Sequence, residues 1–169
     1  MKKLIVVGGP TASGKTTLAI KCAQNLEGEL INADSVQIYK GLTIGSNKGN
    51  LSLIRNEVVC GRTIPVYELE KSGVPGHLFD ICDPDELFDV AHYKKLADEV
   101  ILSIQNKDMH PILVGGTGLY IDAVIKNYDL SSKTYDASLR KELESSSVGE
   151  LQDRLQSLKP GLLESLNNS

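Results

Sequence analysis

Between an apolar run, Leu4-Ile5-Val6-Val7, and a helix-forming run, Thr17 to Ala23, the chain carries Gly9-Pro10-Thr11-Ala12-Ser13-Gly14-Lys15-Thr16. This is the pattern G-x-x-x-x-G-K-[ST] in the strand-to-helix context that a phosphate loop requires. Its glycines let successive backbone N–H groups turn toward one anion, and the helix that follows adds the positive end of its dipole. Lys15 is placed to reach terminal phosphates, and the Thr16 hydroxyl to serve Mg²⁺, a cation that takes oxygen ligands and phosphate partners. Thr11 and Ser13 are expected to touch the same phosphates. A second chemical group stands one strand further on. Glu29-Leu30-Ile31-Asn32-Ala33 reads as a strand whose end delivers Asp34, and ligand chemistry in parallel sheets gathers at the carboxyl ends of strands.

The elements that must hold these groups alternate strand, glycine loop and helix, which builds a parallel sheet covered by helices on both faces. Spacing predicts a helix from Phe88 to about Asn106, with Val90, Tyr93, Ala97, Val100, Ile101 and Ile104 on one face. Pro111-Ile112-Leu113-Val114 reads as a buried strand. It ends in Gly115-Gly116, and Thr117 then stands at the start of a further helix, where its hydroxyl is free to cap backbone N–H groups or to touch a ligand. Residues 41 to 76, rich in glycine and with two prolines, read as a long irregular excursion with one short helix near Asn50 to Arg55. His77-Leu78-Phe79-Asp80-Ile81 reads as a short strand, with His77 a core or loop residue meeting its own hydrogen bonds. Two amphipathic helices, 136 to 144 and 148 to 158, close the chain.

With 169 residues and 41% apolar content, the chain is long enough for a compact domain with its own core. No apolar run approaches the ~20 residues a membrane span needs, so a cytoplasmic protein without membrane contact is expected. Cys22, Cys60 and Cys82 form no C-x-x-C pair and suit reduced thiols. The net charge of −4 argues against a whole surface built to grip nucleic acid, though not against a local groove.

Four blocks in order narrow the reading: Gly9 to Thr16, Asn-Ala-Asp-Ser-Val-Gln-Ile-Tyr-Lys-Gly-Leu at 32 to 42, Val-Pro-Gly-His-Leu-Phe-Asp at 74 to 80, and Val-Gly-Gly-Thr-Gly-Leu-Tyr at 114 to 120. At these spacings the chain closely resembles the tRNA dimethylallyltransferases, also called tRNA isopentenyltransferases, from residue 4 to at least residue 125. The resemblance implies a P-loop NTPase-like α/β core over residues 1 to 129. Residues 130 to 169 then correspond to part of a helical tRNA-binding insertion, and the family carries a further block beyond it that contains an arginine-rich helix contributing to substrate and tRNA binding. It implies transfer of a dimethylallyl group from its diphosphate to the exocyclic amine of the adenosine 3′ to the anticodon, with Mg²⁺ on the diphosphate. The partners it implies are a tRNA anticodon stem-loop and dimethylallyl diphosphate, handled by a monomer.

By the same resemblance Asp34 is the general base, Asp34, Ser35, Val36 and Gln37 lie against the tRNA, and Thr117 contacts the target adenosine. The alternative for Asp34 is an acid that holds Mg²⁺ through water. Two departures from the family pattern stand out: Gly45-Ser46-Asn47-Lys48-Gly49 in place of a threonine-, alanine- and proline-containing turn, and Gly76 where a second histidine is common. Two other functions compete. A small-molecule or nucleoside kinase would bind ATP on the same loop, but Arg55, Arg62, Arg140 and Arg154 are scattered and do not form an acceptor lid. A shortened relative would bind diphosphate or nucleotide without turnover.

Overall fold

A computed structural model describes residues 2–130 and 136–163. The chain divides into two compact units, Met1–Leu130 and Ser131–Ser169. The expected insertion includes residues 131–135 and 164–169, which lie outside the described residues.

The first unit is built on a six-stranded sheet. In chain order its strands are β1 (Ile5–Gly8), β2 (Gly28–Asn32), β3 (Leu51–Val59), β4 (Arg62–Leu69), β5 (Pro75–His77) and β6 (His110–Gly115). They lie side by side as β1-β6-β2-β5-β4-β3. β1, β6, β2 and β5 run parallel, while β4 and β3 continue the sheet antiparallel. The helices of this unit are α1 (Lys15–Leu26), α2 (Val90–Asn106) and α3 (Gly118–Ile125).

Burial explains why the central strands send apolar residues to both faces. Leu30, Ile112 and Val114 turn to one face and pack with Ala19, Ile20 and Ala23 of α1. Ile31 and Leu113 turn to the other face and pack with Tyr93, Leu96, Ala97, Val100 and Ile104 of α2 and Tyr120 of α3. A strand covered on both sides has no polar face to show, so alternation vanishes from its sequence. α2 starts where Asp89 Oδ1 accepts the Ala91 and His92 N–H groups at 2.9 and 3.0 Å. It is locked against α3 by the Tyr93 and Tyr120 rings, stacked with centroids 3.9 Å apart. Burial pushes the Tyr120 hydroxyl up to about 12, with Tyr39, Asp89 and Cys82 adding to the rise.

The excursion expected over 41 to 76 is instead a β-hairpin, and the short helix near Asn50 to Arg55 is the start of β3. The hairpin closes through Cys60 and Gly61, both at positive φ, between paired Val59 and Arg62. Such two-residue turns carry the twist that hairpin strands need. Two features hid it. The register shifts between Leu53 and Arg55, so the apolar alternation breaks in mid-strand, and Pro65 sits inside β4. The strand expected over 77 to 81 is also shorter and earlier, at Pro75–His77; Leu78 and Asp80 both take left-handed backbone angles, with φ of 63° and 51°.

A buried cluster of charges fastens the hairpin to the parallel sheet. Glu29 on β2 and His77 on β5 are 4% and 1% exposed, with Oε2 and Nε2 2.6 Å apart. Lys107 reaches Glu29 at 3.2 Å, and Arg55 of β3 reaches the same carboxylate at 3.9 Å. Burial by itself raises the Glu29 carboxyl, but the hydrogen bond and charge of His77 together with Lys107 outweigh it and hold the group below its ordinary value of 4.5. A depressed carboxylate contributes stability above its unfolded value and loses it as pH falls through the folded one. The urea midpoint is therefore expected to fall as pH drops below that ordinary value, and Glu29→Gln to flatten this part of the profile.

The second unit holds α4 (Ala137–Ser145) and α5 (Val148–Leu158). Asp136 caps α4 by accepting from Ser138 and Leu139 N–H, and Ser147 with Glu150 forms a capping box on α5. Arg154 of α5 pairs with Glu142 of α4 at 2.7 Å. Among the described residues no helix is long and apolar enough to cross a membrane.

Candidate active site at the carboxyl ends of the parallel strands

Parallel pairing brings three loops to one end of the sheet. Gly8 of β1 lies opposite Gly115 of β6, and Asn32 of β2 opposite Val114. The phosphate loop after β1, Asp34 after β2 and Thr117 after β6 therefore leave the sheet at the same level. Backbone bonds hold them there: Gly9 N–H donates to Gly115 O at 3.3 Å, Ala33 N–H to Val114 O at 2.8 Å, and Thr117 N–H to Ala33 O at 3.1 Å. Gly115 has to be glycine, because a Cβ there would stand 2.1 Å from the Ala33 carbonyl oxygen. Gly115→Ala is expected to push β2 and β6 apart and to cost about 1–3 kcal/mol, read as a lower denaturant midpoint.

The phosphate loop has the curvature that its composition implied. Ala12 and Gly14 take φ of 63° and 81°, and α1 begins at Lys15 immediately after Gly14. The left-handed angle at Gly14 is the one a glycine adopts at no steric cost. Thr11, Ala12, Gly14, Lys15, Thr16, Asp34 and Gln37 all line one cavity of about 510 Å³. Gly9, Pro10 and Ser13 complete the loop beneath it: Ser13 N–H donates to Pro10 O at 3.3 Å, and Lys15 Nζ donates to the same carbonyl at 3.2 Å.

Asp34 is half-buried at the end of β2. Its Oδ1 accepts the Val36 N–H at 3.0 Å. Its Oδ2 is on the Gly116 side, where a methyl group added to Gly116 would sit 3.7 Å from it and 3.4 Å from the Gly9 carbonyl. The carboxylate thus stands beside the loop that begins at Gly9, not out in solvent.

Thr117 occupies the cap position of α3 without capping it by its side chain. Its Oγ1 accepts the Ser35 N–H at 2.8 Å and donates to Ser35 Oγ at 3.1 Å, so Thr117 and Ser35 form one unit beside Asp34. Val36 is 48% exposed and is the outermost of the group. The Gln37 amide donates to the Ser46 and Asn47 carbonyls at 2.9 and 3.2 Å.

That pairing reveals a wall the sequence did not announce. Ser46, Asn47, Lys48 and Gly49, with Glu70 from the end of β4, line the cavity with the phosphate loop. The Lys48 side chain is 2% exposed and its ammonium pairs with Asp80 Oδ1 at 2.5 Å and with the Tyr39 carbonyl. Glu70 closes the hairpin base by accepting from the Asn50 N–H and side-chain amide at 3.0 and 3.1 Å. The glycine-flanked block 45 to 49, with an asparagine inside it, signals a tight turn. Nothing local marks Glu70, which the hairpin register alone brings to the cavity.

The IPP transferase family model matches residues 63–169, and an isopentenyl transferase model matches residues 2–63. The chain belongs to the IPP transferase family. It is 42% identical over 159 residues to the tRNA dimethylallyltransferase of Anoxybacillus flavithermus, a match covering 94% of this chain and 46% of that protein. With tRNA dimethylallyltransferase 1 of Syntrophus aciditrophicus it shares 38% identity, covering 95% of this chain and 48% of the relative.

Among solved structures, the full-length tRNA isopentenylpyrophosphate transferase of Bacillus halodurans superposes with a TM-score of 0.64 at 37% identity, over 98% of this chain and 50% of that one. A eukaryotic dimethylallyltransferase acting on tRNA superposes with a TM-score of 0.74 at 30% identity, over 96% of this chain and 37% of that one. This IPP transferase chain thus spans about half the length of the relatives it matches. Its core is the P-loop-like α/β fold of those proteins.

Proposed function

We propose that this chain carries the donor cradle and base of a tRNA dimethylallyltransferase. The reaction transfers a dimethylallyl group from dimethylallyl diphosphate to the exocyclic amine of the adenosine 3′ to the anticodon. The observation that supports this reading is the sharing of one cavity by Asp34 and by Thr11, Ala12, Gly14, Lys15 and Thr16 of the loop.

In the step itself, the C–O bond of the donor breaks and the diphosphate leaves with the electron pair, while the amine nitrogen forms the new C–N bond and gives its proton to Asp34. Loop amides and Lys15 hold the charge that grows on the leaving diphosphate, the kind of pre-aimed stabilisation that usually supplies the largest part of catalysis. The acceptor is a weak nucleophile, so a carboxylate within hydrogen-bond reach contributes as the bond forms. Ser35, Val36, Gln37 and Thr117 make up the side facing the tRNA, and receive a base that has left its stack.

Thr16 offers a hard hydroxyl oxygen in the same cavity as Asp34, a donor set that suits Mg²⁺. Thr16 and the diphosphate oxygens would hold that ion, with Asp34 within reach through water. When bound, it neutralises diphosphate charge. Nothing in this scheme calls for a second copy of the chain, and the working form is taken as a monomer in the cytoplasm, where the tRNA is met.

The deciding experiment incubates the chain and an anticodon stem-loop with labelled dimethylallyl diphosphate and, separately, with labelled ATP. Label appearing in the RNA only with the prenyl donor supports the reading. Phosphoryl transfer from ATP, or pyrophosphate binding without transfer, overturns it.

A further inference from the structure

We propose that Asn32 is the positioning residue that sets where the Asp34 carboxylate stands, with the left-handed turn at Leu78 as its anchor. The proposal rests on the prenyl-transfer reading, in which Asp34 receives the amine proton. Asn32 ends β2 and is 1% exposed. Its Oδ1 accepts the Asp34 N–H at 3.1 Å, and its Nδ2 donates to the Asp34 carbonyl at 3.3 Å and to the Leu78 carbonyl at 3.1 Å. Its own carbonyl accepts the hydroxyl of buried Tyr93 at 2.9 Å. One amide therefore holds both backbone groups of Asp34 and ties them to a segment 46 residues further along the chain. A side-chain amide is the only neutral group with the two donors and one acceptor that this task needs.

The anchor carries the mark of a site held against local preference. Leu78 is fully buried with φ of 63°, an angle disfavoured for a bulky side chain and kept only where the surroundings over-determine it. Here the angle turns the Leu78 carbonyl toward Asn32. Two residues later Asp80, also left-handed, holds Lys48 and with it the cavity wall. The block Gly76-His77-Leu78-Phe79-Asp80 thus acts on both sides of the cavity without entering it. Around Asp34 the remaining bonds come from neighbours in the same loop layer, Thr117 on the Ser35 N–H and Val36 on Oδ1. Beside the backbone bonds of Ala33 and Thr117, the Asn32 amide connects this layer to the buried turn at Leu78.

The test measures single-turnover transfer to an anticodon stem-loop and, by calorimetry, the affinity for magnesium pyrophosphate. Asn32→Leu keeps the side-chain size and removes every bond made by the side-chain amide; Asn32→Ser keeps one short hydroxyl that meets the Asp34 N–H but does not span to Leu78. A displacement of a few tenths of an ångström at a reacting group is expected to slow transfer roughly tenfold in Asn32→Leu, with partial recovery in Asn32→Ser. Pyrophosphate affinity is expected to stay within about twofold of the wild type, because the loop amides and Lys15 are untouched.

Asn32→Leu leaves buried groups unpaired, so its folding is followed by circular dichroism. If it does not fold, Asn32→Ser decides alone. Unchanged transfer in the folded variants, or a loss of transfer matched by an equal loss of pyrophosphate affinity, overturns the proposal. A wild-type chain that binds pyrophosphate but transfers nothing overturns the prenyl-transfer reading instead. Positioning is then judged from the Asp34 amide resonance, which must move in Asn32→Ser; an unmoved resonance sinks it.

Discussion

Asp34→Asn is expected to slow prenyl transfer by about 10²-fold or more while leaving the affinity for dimethylallyl diphosphate close to that of the wild type. The substitution keeps the shape of the side chain, and its amide oxygen still accepts the Val36 N–H that holds Oδ1 at 3.0 Å. What it removes is the oxygen able to take a proton on the Gly116 side. A carbonyl oxygen of an amide is too weak a base to replace it. If Asp34 served only to hold Mg²⁺ through water, donor binding would suffer together with turnover, and the loss would diminish as Mg²⁺ was raised. Measuring single-turnover rate and donor affinity across a magnesium series separates these outcomes. Unchanged turnover would remove Asp34 from the chemistry altogether.

Lys15→Ala is expected to act on the other half of the reaction. A hydrogen bond to a charged partner contributes about 1.5–3 kcal/mol, so losing the ammonium should weaken the donor by roughly 10- to 100-fold. In the structure Lys15 Nζ lies against the Pro10 carbonyl at 3.2 Å, within the Gly9 to Thr16 loop. It can leave that neutral acceptor for a diphosphate oxygen with a net gain, because bonds between ionised groups are about twice as strong as neutral ones. Calorimetry with dimethylallyl diphosphate and with pyrophosphate should show equal losses for both ligands, since the lysine meets only the part they share. Normal affinity in the variant would contradict the placement of the phosphates.

The two groups at the heart of this site could be read before any fold was known. A phosphate loop is a local device: its chemistry lies in backbone N–H groups, and the residue types at Gly9, Gly14, Lys15 and Thr16 dictate the local path of the chain. Asp34 was legible because a buried strand followed by a polar turn marks a strand's carboxyl end. The long helix α2 was equally plain, since Tyr93, Ala97, Val100 and Ile104 repeat at the helical period over about three turns. The hairpin was not. Its alternation breaks at the register shift near Ile54, its turn uses Cys60 where asparagine or aspartate is the usual signal, and Pro65 argues against a strand. Pairing between the two strands, which sets Pro65 opposite Asn56 and Arg55 opposite Val66, overrides these local signs.

Thr117 shows the limit from another direction. Its position at a helix start suggested a cap or a ligand contact, yet its hydroxyl bonds to Ser35, 82 residues earlier in the chain. Lys48 is the same kind of case: a lysine in a glycine-rich turn would ordinarily be solvated, but Asp80 and Tyr39 bury it. The sequence by itself determined the curled turn from Gly9 to Thr16, the carboxylate at the end of β2, and the family to which these blocks belong, because each is encoded within a few consecutive residues. Only the tertiary structure decided that Ser46 to Gly49 and Glu70 wall the cavity, that Thr117 holds Ser35, and that Asn32 joins Asp34 to Leu78. Those contacts depend on which strands lie side by side and in what register, a choice made by burial on both faces of the sheet and carried by no single stretch of the chain.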